Sequence, residues 1–381
     1  MKKQKICIIG GNLTGLVTAI ALSKLNCDID LITGNNKLNP SINRTIAISE
    51  NNLDYLNKLN IHKSLKNEAW ACSKMKLYTE IKKKKNSEVF QLDNNEKGKK
   101  VLYMIENSKM IKLMINKIKK NHSISIKNNV KINEIFNSGL LKSIKINNTK
   151  FKYNLIIICT GSSSNLVKNI FKEPLIENSY EETSITTTLN HNLLENNVAR
   201  QFFLHNGILA LLPISNNKTS IVWSIRGNVK KNDLYLKRKI KFYVEQYIKN
   251  AKFINKIEYK NLKLLIRSKY YQDRILLFGD ALHIIHPFIG QGFNMTLRDL
   301  ACLEKILAQN INLGLDVGSS NILSEFSNET KPRNFAFSVG SDILKNSFAF
   351  QEPRNSILKI INRSNFAKDV LFNIADKGFR F

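Results

Sequence analysis

The stretch RILLFGDALHIIHPFIGQGFNMTLRD, residues 274–299, decides the fold. Ile275 to Phe278 is apolar and uncharged, which predicts a short buried strand. Gly279 and Asp280 then turn the chain, and Pro287, Gly290 and Gly292 punctuate a loop. A helix is expected to begin near Asn294, a residue suited to a cap. A strand, a glycine-rich loop and a helix start present backbone N–H groups and a positive dipole end to one spot. Glycines at 290 and 292 let a backbone approach a flat ring with no Cβ in the way. A loop that only needed tight turns would not also gather Asp280, His283, His286, Gln291 and Asn294.

The N-terminus supplies a second half of the same idea. Ile6 to Ile9 reads as a strand, Gly10-Gly11-Asn12-Leu13-Thr14-Gly15 as a phosphate-binding turn, Leu16 to Leu25 as a helix, and Cys27 to Ile32 as the next strand. This is a βαβ unit of the dinucleotide-binding kind. It departs from the usual pattern twice. Asn12 stands at the second glycine of G-x-G-x-x-G, where tolerance of positive φ is expected to serve. Thr33 and Gly34 stand where an acidic residue normally holds the adenosine ribose.

GDALHIIHPFIGQGFNMTLRD resembles the third flavin-binding motif of the single-component FAD-dependent aromatic hydroxylases, and is similar above all to the branch acting in ubiquinone biosynthesis. Further blocks carry the likeness, at residues 3–25 and 199–225, the latter including HNGILALLP at 205–213. The resemblance implies an α/β fold: a Rossmann-like FAD-binding domain of the GR2, p-hydroxybenzoate hydroxylase type, with an inserted β-sheet substrate domain and a helical C-terminus. The expected division is 1–70, 100–165 and 266–330 for the discontinuous FAD-binding domain, 71–99 and 166–265 for the substrate domain, and 331–381 for the C-terminal helices.

The resemblance also implies site residues. Gly10, Gly11, Asn12, Thr14, Gly15, Arg44, Asn107, Gly161, Gly279, Asp280 and Asn294 are candidates for cofactor binding. Pro287, Gly290, Gln291 and Gly292 form the loop expected along the flavin ring. Arg44 earns its place because Ala47, Ile48 and Ser49 match its family context as well. At 160–164 the family has Asp-Gly followed by Ser; this chain has Thr160, Gly161 and Ser164, so the Asp is missing. The implied cofactor is FAD, with NAD(P)H as co-substrate. The implied activity is hydroxylation of the ring of a polyprenylated phenol, using O₂ through a flavin C4a-hydroperoxide. The alternative raised by Asn12, Thr33 and Thr160 is a flavoprotein-like scaffold or accessory subunit with weak or no redox turnover.

Composition bounds the rest. The chain has 381 residues, 43% hydrophobic, enough for two associated domains. Cys7, Cys27, Cys72, Cys159 and Cys302 show no C-x-x-C spacing, which speaks against a zinc site or disulfide scaffold and for a reducing cytoplasm. His283 and His286 lack a completing ligand set, so no metal is expected. The net charge of +29 is spread among Asn and Ile rather than focused on a reading helix, so nucleic acid is not an expected partner. A basic surface does suit an anionic membrane face. Other ubiquinone-biosynthesis proteins and a peripheral contact with the inner membrane are therefore candidate partners. Phe348, Phe350, Leu358, Ile361 and Phe372 are candidates for touching lipid, but a helix packing face is the expected role for most of them. The segments 103–120 and 234–248 read as helices, and 180–265 as mainly strands.

Overall fold

The structure, a computed structural model, describes residues 3–34, 44–61, 65, 68–81, 85–93, 99–162, 164–172, 174–227, 229, 232–287, 290–347 and 351–378. Phe348, Phe350 and the lysines at 82–84 lie outside the described residues.

The chain starts as expected, with strand Gln4–Ile9, helix Leu13–Leu22 and strand Cys27–Ile32. The strands pair in parallel, with Ile6 beside Ile29 and Ile9 beside Ile32. Leu155–Ile158 flanks the first strand, Ile275–Leu277 lies next to it, and Ile124–Lys127 closes the other side. With Tyr271–Gln272 at one edge these make a six-stranded sheet. Parallel strands covered on both faces should be apolar throughout. Leu155, Ile156, Ile157 and Ile158 are all fully buried, as are Leu276 and Leu277. Helices Leu13–Leu22, Asn107–Lys119 and Gly292–Asn312 join this core, along with Ile144, Ile146 and Tyr153 of a small antiparallel sheet. Each fully buried aliphatic side chain there contributes about 1.5–3 kcal/mol.

A second, nine-stranded sheet gathers Lys74–Ile81, Lys85–Asp93, Ile176–Asn190, Val198–Leu204, Gly207–Ser215, Lys218–Arg226 and Glu258–Ile266. Its alternating residues sort cleanly. Tyr78, Ile185, Phe202, Leu209, Ile221 and Trp223 form one core with Leu236, Ile240 and Val244 of helix Asp233–Val244. The edge strand of this sheet is His283–Ile284, which belongs to the loop of the opening motif. The two sheets are thus joined directly at the residues on which the sequence argument turned. Helices Ser320–Ser347, Gln351–Arg363 and Asn365–Lys377 complete the chain.

Several boundaries move. The first helix starts at Leu13 and ends at Leu22 rather than running from 16 to 25. Tyr103 to Glu106, expected as helix, belong to strand Leu102–Glu106, and the helix starts at Asn107. Pairing on both sides, with Thr45–Ile48 and Trp70–Cys72, overrides the helical spacing. Leu59 and Ile61 fall beyond helix Glu50–Lys58 yet stay buried. The helix expected over 234–248 is Asp233–Val244. Leu358 joins a core cluster with Leu77, Phe90 and Phe203, and Ile361 and Phe372 pack against it, the helix packing face expected for most of these residues.

Candidate functional site

Two glycines shape the N-terminal turn by what the protein itself demands. A Cβ on Gly15 would lie 1.9 Å from the Gly10 carbonyl oxygen, and one on Gly10, at φ +133°, 2.8 Å from the Cys159 carbonyl. Strand and helix pack too closely there for any side chain. Asn12 is the N-cap of the helix at φ −85°, so no positive φ is involved and the reason expected for Asn there falls away. Its side chain makes no capping bond. The first amides of this helix are left for a ligand, and a helix start of this kind suits a phosphate.

The opening motif comes to the same place. Gly279 has φ +61°, and a Cβ on it would meet Thr14 Cγ2 at 2.6 Å and Oγ1 at 2.9 Å. The Gly-Asp turn therefore sits on the first helix turn, 265 residues away in sequence (279 minus 14). Asp280 beside it is exposed. The Asn107 amide donates to the Arg44 carbonyl at 2.8 Å, so these two candidates are neighbours as well. Arg44 and Asp280 both act on Lys260 of strand Glu258–Ile266. Burial holds the Lys260 ammonium below its ordinary range, Arg44 pushes it further down, and Asp280 partly offsets them. Lys260 was missed in the sequence because one lysine among many carries no signal.

Gly34, Gly161 and Gly292 are among the glycines that border open space: a Cβ on any of them would have no neighbour within 4 Å. Pro287 accepts a hydrogen bond from the Gly290 amide at 3.0 Å, which closes the turn, and both residues are exposed. The Thr160 hydroxyl is buried with no hydrogen-bond partner. Uncapped amides, rims without Cβ contacts and an orphaned hydroxyl fit FAD. Thr33 does not serve as a ribose anchor, because it is buried and its hydroxyl donates to Asn128 Oδ1 at 3.0 Å.

Two candidates turn out to face inward. Asn294 is not a cap: the helix starts at Gly292, with Gln291 at the N-cap, and Asn294 is fully buried in the first turn. Its amide donates to the Ala47 carbonyl at 2.9 Å, and its Oδ1 accepts from the Ser49 amide and Asn52, both at 3.1 Å. It ties the loop to the segment after Arg44. Gln291 is 1% exposed, and its Oε1 accepts from Arg298 at 3.4 Å. His283 bonds Asp299 at 2.8 Å, and His286 bonds Glu182 at 2.8 Å, so each imidazole is held by a carboxylate. Among the described residues no cluster of three or more His, Cys, Asp or Glu could hold a metal ion.

The chain is similar to known proteins along most of its length. Ubiquinone biosynthesis monooxygenase COQ6, mitochondrial, of Dictyostelium discoideum is 24% identical over 331 residues, covering 72% of this chain and 66% of that one. Ubiquinone hydroxylase UbiL of Rhodospirillum rubrum is 31% identical over 177 residues, covering 45% of this chain and 41% of that one. The chain thus matches less than two thirds of the length of either relative. In fold it is similar to p-nitrophenol 4-monooxygenase PnpA of Pseudomonas putida, with a TM-score of 0.81, 14% identity, and coverage of 100% and 99%. It is equally similar to HpxO of Klebsiella pneumoniae complexed with FAD and uric acid, with a TM-score of 0.80, 14% identity, and coverage of 98% and 97%. The profile of the FAD binding domain family matches residues 3–336. A glycine turn, a Gly-Asp turn and a profile spanning nearly the whole chain agree, and the chain belongs to the FAD binding domain family, with FAD as its cofactor.

Proposed function

We propose that this chain is an FAD-dependent monooxygenase that hydroxylates the ring of a polyprenylated phenol in ubiquinone biosynthesis, with NAD(P)H and O₂ as co-substrates. The observation that carries the reading is the seating of Gly279 on Thr14, which brings a nucleotide turn and a ring-binding loop to one cleft. The names of the curated relatives supply the substrate class. FAD held by the residues at 10–15 and 279–292 would supply the hydride acceptance and O₂ activation that such a reaction needs.

The residues have separable parts in this reading. The uncapped amides at the start of helix Leu13–Leu22 bind the pyrophosphate. Gly161 and Gly292 leave room for the ring system, and Gly290, at φ +64°, shapes the loop beside it. Arg44 and Lys260 offer positive charge to the pyrophosphate or to the phosphates of the nicotinamide donor. The nine-stranded sheet turns Ser184, Thr186, Ala210, Val222 and Ser224 to the face opposite the Trp223 core; these residues register with one another and with Lys260. Small side chains there make the roof over a substrate ring. That face keeps water from the reacting atoms and holds the phenol close. The domain division follows: 1–70, 100–165 and 266–330 carry the cofactor, 71–99 and 166–265 the substrate roof, and 331–381 the terminal helices.

Delivery of a polyprenyl tail suits a membrane surface. Among the described residues no helix is long and apolar enough to cross a membrane. Ile357, Ile360, Phe366 and Val370 of the terminal helices are exposed, with Lys359, Arg363 and Lys368 on the same two helices. Together they suit a peripheral contact with anionic lipid.

The test is the absorption spectrum of the purified protein, followed by NAD(P)H oxidation with a phenolic quinone precursor. Lack of a flavin band even after added FAD would sink the reading. A scaffold without turnover is favoured by the sequestered Thr33 hydroxyl, and oxidation that rises with the precursor would exclude it.

A further inference from the structure

Glu182 stands where three parts of the molecule meet. It lies on strand Ile176–Asn190 and is 5% exposed. One carboxylate oxygen accepts from His286 Nε2 at 2.8 Å; the other accepts from Lys345 Nζ at 2.7 Å, on helix Ser320–Ser347. His286 immediately precedes Pro287, the first residue of the turn that borders the candidate ring site. Tyr180 completes the junction, with its ring edge-on to His286 at 5.0 Å and under Lys345 at 4.4 Å.

The backbone is bent to put Glu182 there. The ladder between Ile176–Asn190 and Glu258–Ile266 shifts register between Ser179 and Thr183. Glu181 takes φ +51°, a left-handed conformation that costs a non-glycine residue energy. Such bulges re-aim side chains, and they concentrate beside functional sites. A carboxylate with two basic partners is also unlike an ordinary core pair, because either partner alone would neutralise it.

We propose that Glu182 is the positioning residue of the flavin loop: by gripping His286 and Lys345 together, it clamps the loop at Pro287 to the substrate sheet and to helix Ser320–Ser347. This rests on the reading that the loop borders the flavin. The clamp itself concerns the chain alone and is tested without cofactor. The pairing with His286 and Lys345 outweighs burial and holds the Glu182 carboxyl below its usual range. Tyr180, Asp342 and, across the strand, Arg226 are the other titratable groups facing it. A depressed carboxyl contributes fully above its unfolded value, so the clamp should hold through the neutral range and be lost as pH falls through the lowered native value of Glu182.

The experiment is hydrogen–deuterium exchange on the flavin-free full chain, comparing peptides covering 283–295 with those covering 4–9 and 155–158. Glu182→Gln should speed exchange at 283–295 by roughly tenfold to a hundredfold, the range for losing a hydrogen bond to a charged group. Exchange at 4–9 and 155–158 should change less than about twofold. The acid-induced loss of protection seen in the parent should be absent in Glu182→Gln. Lys345→Arg, which keeps the cation, should behave like the parent. Should Glu182→Gln fail to fold, Lys345→Met removes one arm and is read the same way. Uniform acceleration across all three regions, or none at 283–295, overturns the clamp. Added FAD separates the two readings: local loosening with undiminished FAD affinity supports the clamp and overturns the placement of the loop at the flavin.

Discussion

The two halves of the candidate site are built by different means. The N-terminal turn is held by backbone against backbone, with Gly10 and Gly15 so close to neighbouring carbonyls that no side chain fits. The loop from Gly279 to Gly292 is held by side chains reaching in from elsewhere: Asn294 to Ala47 and Ser49, His283 to Asp299, His286 to Glu182. Both end at Thr14 and Gly279. The N-terminal turn is thus rigid by sterics, whereas the Gly279–Gly292 loop is only as fixed as the polar side chains that hold it. A site that must exchange substrate and product gains from that asymmetry.

Breaking the rigid half should have the largest effect. Gly15→Ala forces a Cβ to within 1.9 Å of a carbonyl oxygen, and a loss of about 3 kcal/mol or more is expected in denaturant unfolding. Unchanged stability would show that the turn yields. Next comes the adjustable half. Asn294→Ala leaves the Ser49 amide and Ala47 carbonyl without their bonds, at a cost of about 1–3 kcal/mol in the same measurement. Gly292→Ala sharpens the contrast, since its Cβ would meet nothing within 4 Å of protein. Its folding stability should stay within about 1 kcal/mol of the parent. Its FAD affinity, read by fluorescence titration, should fall about tenfold if that space belongs to the ring. The smallest effect belongs to a pair on the surface of the substrate sheet. Lys263 bonds Glu177 at 2.7 Å on the surface and holds that carboxyl below its usual range. Lys263→Ala should cost less than about 1 kcal/mol above the carboxylate range and nothing once acid has protonated Glu177.

Where sequence reasoning slipped, competition from distant partners was the cause. Tyr103 has good helical spacing, but strands on both sides claim its backbone. Asn294 has the chemistry of a cap, yet the helix begins two residues earlier and its amide is drawn to the Ala47 carbonyl, 247 positions away. Lys260 and Glu182 had no local mark at all.

The glycine turn, the buried strands beside it and the Gly-Asp turn of the second motif were determined by sequence alone. They depend on local demands: uninterrupted apolar runs for covered parallel strands, and residues without Cβ where backbones touch. The tertiary structure decided what those motifs meet: Gly279 against Thr14, Lys260 between Arg44 and Asp280, His286 held by Glu182. Contacts between residues more than a hundred positions apart leave no periodicity to read. They arise only when two sheets and a long helix are packed together, and burial then makes most polar groups find a partner.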